Sequence, residues 1–273
     1  MALSNSKKII IIAVLAAAAV LYFGGRSFLE NCYYPPILMY HSIDDHGSKL
    51  KLSVPVKELR EQMKYLRDNK YDIVSAAQLA DMIKSGKKIP HNIVAVTVDD
   101  GLLDNYVNGF PVFKEYRIPA TLFVILGSIG KPDFLNAAQI KEMSDAGIDI
   151  ESHSVTHPYI EDLTPDGFKR EVVESKKAIE AITGKPVYTF CFPYGGFRDY
   201  VRDILRDAGY KAGFVTMPRD NSIALDPYRM KRIKVASGQF SLLDFRLKTS
   251  GYYMWFKAHR WTKRKSTKTE LEY

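Results

Sequence analysis

Between residues 36 and 236, short apolar runs alternate with amphipathic stretches in a steady rhythm, and that rhythm narrows the fold more than any other feature. The runs PILMYH (36–41), YDIVS (71–75), NIVAVTV (92–98), PATLFVIL (119–126), IDIES (148–152), VYTFCF (187–192), YKAGFVT (210–216) and MKRIKVA (230–236) read as strands. Most are continuous Val, Ile and Phe runs rather than strict alternations, which suits strands buried on both faces of a parallel sheet. The stretches between them carry apolar residues at helical spacing; the clearest, 164–184, opens with Thr164 as N-cap and Pro165 in the first turn. The segment DNYVNGFPVFKEY (104–116) reads as helical despite Gly109 and Pro111. Repeated strand–helix units predict an α/β fold, an irregular (β/α) barrel of about seven or eight strands. A chain of 273 residues is long enough to fill one such core. In these barrels the chemistry collects at the C-terminal ends of the strands.

The two ends of the chain read differently. Lys7 and Lys8 precede an uncharged run, IIIIAVLAAAAVLYFGG (9–25), which Arg26 closes. It predicts an N-terminal hydrophobic helix, either a signal-anchor or a cleaved signal peptide, with the lysines cytoplasmic and the rest of the chain outside the cytoplasm. The run falls short of the roughly 20 residues that span a bilayer comfortably, yet the bulky Leu21, Tyr22 and Phe23 after the alanines favour the anchor. The expected division is 1–30 as stub and signal-anchor, 31–250 as catalytic domain and 251–273 as a basic tail. The formal net charge is +8, and Lys257, Arg260, Lys263, Arg264, Lys265 and Lys268 concentrate part of it in that tail. The tail reads as a solvated end, with attraction to lipid head groups or a charged wall polymer as the functional alternative. No recognition motif accompanies the charge, so nucleic acid is not an expected partner. Cys32 and Cys191 could form a disulfide outside the cytoplasm, but they read first as two unpaired thiols, Cys191 buried within its apolar run.

Two pairs of polar residues fall at predicted strand ends. Asp99 and Asp100 follow NIVAVTV directly, with Gly101 allowing the chain to turn; His153 and His157 follow IDIES and are spaced i, i+4. Taken singly, an aspartate pair is more often a helix cap and a turn residue, and a strand-end histidine is more often merely hydrogen-bonded. Together, at one end of one barrel, they can converge. One carboxylate with two imidazoles is a three-ligand set that leaves positions open on a cation, and the other carboxylate is then free to act as a base.

These residues carry a resemblance. TVDDG (97–101), HSVTH (153–157) and FPYGG (192–196) resemble the first three motifs of the polysaccharide deacetylases, the NodB-homology or carbohydrate esterase family 4 group. ILMYHSI (37–43) and LDPYRMKRIKV (225–235) are similar to segments of its poly-N-acetylglucosamine deacetylase branch. The resemblance implies that Asp100, His153 and His157 bind one divalent metal, Zn²⁺ first with Fe²⁺, Co²⁺ or Ni²⁺ accepting the same set. It implies Asp99 as general base and the Tyr194 backbone N–H as donor to the oxyanion. The implied activity is removal of N-acetyl groups from N-acetylglucosamine-type residues of an envelope or extracellular polysaccharide. The chain departs from the family pattern in several places. Val98 and Leu102 replace usual residues around the first motif. The third motif lacks the arginine that orients the aspartate, and the late L-x-x-H motif that supplies the general acid has no match. His41 is the candidate acid in its place, with a structural role as the alternative. Arg229 and Arg232 stand near the last strand, within range of the site, with surface solvation expected for at least one. The missing motif also supports a second reading, a weak or inactive metal-containing carbohydrate-binding protein; a third is hydrolysis of an O-acetyl or small amide substrate.

Overall fold

A computed structural model describes residues 5–46, 52–216, 224–236 and 242–265. The sheet is built from β1 (Ile37–Tyr40), β2 (Asp72–Val74), β3 (Ile93–Val98), β4 (Thr121–Val124), β5 (Asp149–Ser152), β6 (Thr189–Cys191), β7 (Ala212–Val215), β8 (Met230–Lys231) and β9 (Ile233–Lys234). All pairings are parallel, in the order β8-β7-β6-β5-β4-β3-β1-β9, with β2 beside the start of β3. β8 and β9 are one extended segment interrupted at Arg232. The first half pairs with β7 and the second with β1, so Met230–Lys234 joins the two ends of the sheet into a nearly closed barrel. The expected architecture holds, with the eighth strand split around one residue.

The apolar runs become strands because both faces are covered. β1, β3, β4, β6 and β7 are buried at every position. Helices α2 (Val56–Asp68), α3 (Ala76–Lys84), α4 (Phe110–Glu115), α5 (Ala137–Asp145), α6 (Pro165–Thr183) and α7 (Val201–Asp207) follow strands around the outside. Their limits are set locally. Ser75 and Asn136 form capping boxes with Gln78 and Gln139, and Thr164 accepts from the Gly167 N–H at the start of α6. Gly184 ends α6 with φ +71°. The stretch expected to be helical at 104–116 is helical, with a π-helical turn, Asn105–Gly109, running into α4. Pro111 lacks an N–H and fits only at a helix start, so the chain widens its turn before it.

The N-terminal run forms α1 (Asn5–Cys32). Among the described residues no helix is long and apolar enough to cross a membrane. The expected membrane-spanning anchor is therefore corrected to an N-terminal helix; its uncharged run of 9–25 is closed by Arg26 before bilayer length is reached. The segment read as a solvated tail starts instead as α9 (Tyr253–Lys265), after α8 (Leu242–Thr249). Met254 is buried, and Trp255 meets Phe28 of α1 edge-on at 5.6 Å. Lys268 lies outside the described residues. Cys32 and Cys191 are both free and both buried.

Candidate active site

The candidate residues collect at one mouth of the barrel, each delivered by the end of a strand. His41 follows β1, Asp99 and Asp100 follow β3, His153 follows β5, and Tyr194 lies in the turn after β6. The backbone N–H of Asp99 donates to Tyr40 O at 3.0 Å and that of His153 to Val124 O at 2.9 Å, so both side chains continue the sheet register into the mouth. The chain then turns sharply: Asp100, His157 and Tyr194 have φ of +75°, +56° and +56°. Non-glycine residues in that region are costly unless their surroundings fix them. Here the Ser154 Oγ receives the His157 N–H at 3.0 Å. Asn105 Nδ2 donates to His41 O at 2.7 Å and Ser42 Oγ to Asp104 Oδ2 at 2.6 Å, tying the β1 loop to the one after β3.

Asp100 Oδ1 lies 3.5 Å from His153 Nε2 and 3.8 Å from His157 Nε2, and the two Nε2 atoms are 3.2 Å apart. Donors each bonded to one tetrahedral cation at about 2.0–2.2 Å lie roughly 3.3–3.6 Å from one another, so the spacing fits a shared ion. His153 Nδ1 is 2.8 Å from the Cys191 carbonyl. A carbonyl only accepts, so Nδ1 carries a proton and Nε2 is the nitrogen turned towards Asp100. Burial acts to lower His153, but Cys191 and the aspartates outweigh it and hold the ring well above its ordinary range. Burial and the neighbouring His153 push His157 down to about 4. The cluster thus favours one positive charge, on His153 or on a cation in its place. Burial raises Asp100, and the bond to His153 outweighs it to leave the carboxyl below its usual value.

Asp99 stands apart from this set. It is 2% exposed, and Arg232, fully buried, donates Nη1 to Oδ1 at 2.6 Å and Nη2 to Oδ2 at 2.7 Å. Burial alone would raise the Asp99 carboxyl; the guanidinium overrides it and holds Asp99 ionised, well below the usual carboxylate range. Asp99, His153 and Cys191 also have ligand atoms within 4.8 Å of one another. Arg232 Nη2 is 3.0 Å from the Cys191 Sγ as well as on Asp99, so a fixed positive charge already fills the place a second cation would take. His41 Nε2 is 3.8 Å from Asp99 Oδ2, while the buried Nδ1 has no hydrogen-bond partner among the described residues. Burial lowers the His41 ring, opposed in part by Asp99. Tyr194 is 55% exposed at the rim, its ring 4.6 Å from that of His157.

The sequence motifs and this geometry have counterparts among known proteins. A family profile described as polysaccharide deacetylase matches residues 86–213. The chain is 36% identical over 203 residues to YxkH of Bacillus subtilis (strain 168), assigned as a polysaccharide deacetylase, covering 74% of this chain and 72% of that one. The chain belongs to the polysaccharide deacetylase family. A further relative within this family of enzymes is the poly-beta-1,6-N-acetyl-D-glucosamine N-deacetylase of Staphylococcus epidermidis, 26% identical over 205 residues, with 70% of this chain and 71% of that one covered. Among solved structures, the deacetylase PplD of Streptococcus pyogenes in complex with acetate superposes with a TM-score of 0.72 at 26% identity, covering 80% of this chain and 98% of that one.

Against that family pattern, the sequence placed Arg232 within range of the site but not its pairing with Asp99. The third motif of this deacetylase chain offers Cys191 where the pattern has an arginine, and the guanidinium arrives from the closing strand as Arg232. The signal was charge inside MKRIKVA, where Arg232 is buried between the buried, apolar Met230 and Ile233. Arg229, by contrast, is half-buried and lies 5.0 Å from the Phe197 ring centroid.

Proposed function

We infer that the protein is a metal-dependent N-deacetylase acting on N-acetylglucosamine-type residues of a cell-envelope or extracellular polysaccharide. One observation carries the reading: an Asp–His–His donor set sits beside a second carboxylate that an arginine keeps ionised and outside the set. Asp100, His153 and His157 would hold one divalent ion, Zn²⁺ being the best match to a nitrogen-rich tetrahedral site, with Fe²⁺, Co²⁺ and Ni²⁺ as alternatives. When bound, such an ion supplies Lewis acidity to an acetamide carbonyl and makes water acidic enough to lose a proton near neutral pH.

The protein groups do the rest. Asp99 takes the proton from the attacking water. Arg232 engages both of its oxygens and fixes their direction, and because the paired carboxylate is a weak base it passes the proton on rather than keeping it. The Tyr194 N–H, held at the mouth by the turn after β6, donates to the carbonyl oxygen as negative charge builds there. His41, 3.8 Å from Asp99, delivers a proton to the departing amine. Acetate and a free sugar amine are released. The poly-beta-1,6-N-acetyl-D-glucosamine N-deacetylase among the relatives supports the substrate class. The lysine-flanked apolar run of 9–25 supports export, with the catalytic domain facing the envelope. The test is acetate release from N-acetylglucosamine oligomers by the purified chain loaded with each metal in turn; metal-loaded protein that binds oligomers yet releases no acetate would instead make it a carbohydrate-binding member of the fold.

A further inference from the structure

Two tyrosines at the rim are not used by this chemistry as rings. Tyr159 and Tyr194 stack face to face, centroids 4.0 Å apart with an interplanar angle of 11°. Each is 55% exposed. They come from different loops, Tyr159 two residues past His157 and Tyr194 after β6, and the Tyr194 ring also meets His157 edge-on. The aromatic surface therefore begins at a residue of the donor set and runs outward from it. With one face covered by Tyr194 and the residue still half exposed, the opposite face of Tyr159 is open to solvent.

The rings are held in place from below. Ile160, next to Tyr159, is fully buried, and the Tyr200 hydroxyl donates to Leu163 O at 2.9 Å, pinning the same loop to the start of α7. Gly195, beside Tyr194, has φ +73°, and a Cβ there would meet Thr216 Oγ1 at 1.9 Å, so the chain passes tightly against β7. A Cβ on Gly196 would meet Glu161 Oε2 at 2.6 Å, so the exposed carboxylate two residues past Tyr159 lies against the loop two residues past Tyr194. Large apolar faces kept rigid and in water beside a reaction centre mark a binding surface.

We propose that Tyr159 and Tyr194 form a platform for the pyranose adjoining the one that reacts, so that the enzyme favours chains over single sugars. This rests on the glycan deacetylase reading above. The chemistry favours a β-linked hexosamine: with its substituents equatorial, each ring face presents axial C–H groups that pack on an aromatic face. An adjoining residue that has already lost its acetyl group carries an ammonium, which the π face attracts and Glu161 accepts. Stiff rings lose little entropy on binding, so the platform acts mainly through KM.

The experiment uses the metal-loaded full chain and Tyr159→Ala beside Tyr159→Phe, with β-linked N-acetylglucosamine dimer to pentamer as probes. The expected result is that Y159A lowers the ratio of pentamer to dimer kcat/KM by roughly 5- to 10-fold, chiefly through KM, while Y159F keeps the wild-type ratio. Binding of the same oligomers to metal-loaded Asp99→Asn, with and without Y159A, is measured by calorimetry. There the gain in affinity with chain length is expected to disappear with the ring. If Y159A leaves both the rate ratio and the chain-length gain within 2-fold of the parent, the platform is overturned. If Asp99→Asn shows the Tyr159-dependent gain but wild-type protein releases no acetate, the deacetylase reading fails and the sugar platform stands.

Discussion

Arg232 and Asp99 face each other inside the barrel through two parallel hydrogen bonds, 2.6 and 2.7 Å, with the arginine on the segment that closes the sheet and the aspartate at the end of β3. A buried pair of this kind is strongly asymmetric: removing one partner leaves the other as an uncompensated charge.

Replacing Arg232 is therefore expected to cost both stability and turnover. Arg232→Ala should lose about 3–5 kcal/mol of stability, read by denaturant unfolding. Arg232→Lys keeps the charge but not the fork, so it should fold and lose roughly 10- to 100-fold in kcat with little change in bound metal. Wild-type kcat in Arg232→Lys would remove the arginine from any role in orienting the base.

The two adjacent aspartates should separate cleanly. Asp99→Asn is expected to retain metal at one equivalent and to lose about 10²- to 10⁴-fold in kcat. Asp100→Asn should lose affinity for the metal first, as should His153→Ala, with activity partly restored by excess Zn²⁺ or Co²⁺. Elemental analysis after dialysis against a chelator reads the difference; equal metal loss in both aspartate variants would show that Asp99 is also a ligand.

His41→Ala should keep the metal and the fold yet lose about 10²-fold or more in kcat. Its Nδ1 makes no hydrogen bond among the described residues, so deletion strands no partner there. Full activity in the variant would send the search for the proton donor elsewhere.

Glu151 predicts a pH dependence of stability away from the chemistry. It is 2% exposed, and burial pushes its carboxyl up to about 8, opposed in part by the N–H groups of Tyr188 and Thr189, which both donate to Oε2. The unfolded chain ionises this group near 4.3. Between that value and about 8 the folded state holds a proton that the unfolded state has lost. Stability from this group is thus full below the lower value and falls as pH rises through the window, by up to about 1.4 kcal/mol per pH unit. Glu151→Gln keeps an oxygen for both N–H donors and should flatten the slope, so it is expected to be the more stable protein at pH 8 by thermal melting. An unchanged slope would assign the titration to another group.

Much of this was readable from the chain because the physics is local. Continuous runs such as NIVAVTV specify strands covered on both sides, Thr164 and Gly184 mark the ends of α6, and DDG and HSVTH fall where strands stop. What was hidden depends on closure. That Arg232 reaches Asp99 across 133 positions follows from the last strand joining β7 to β1, which no window of residues encodes. The stacking of Tyr159 on Tyr194 likewise needs two loops brought together by β5 and β6 pairing. At the other extreme, the basic count after residue 250 carried no sign that buried Met254 and the Trp255–Phe28 contact give α9 a packed start.

The split strand has a consequence for how the protein comes into being. Its guanidinium is delivered by almost the last part of the sheet to leave the ribosome, and the ring of strands has a gap until that segment inserts. A nascent or C-terminally clipped chain can carry every motif residue from His41 to Tyr194 and still have the Asp99 carboxylate with nothing to aim it. Under the proposed mechanism, hydrolytic competence is in that sense a report that the barrel has shut.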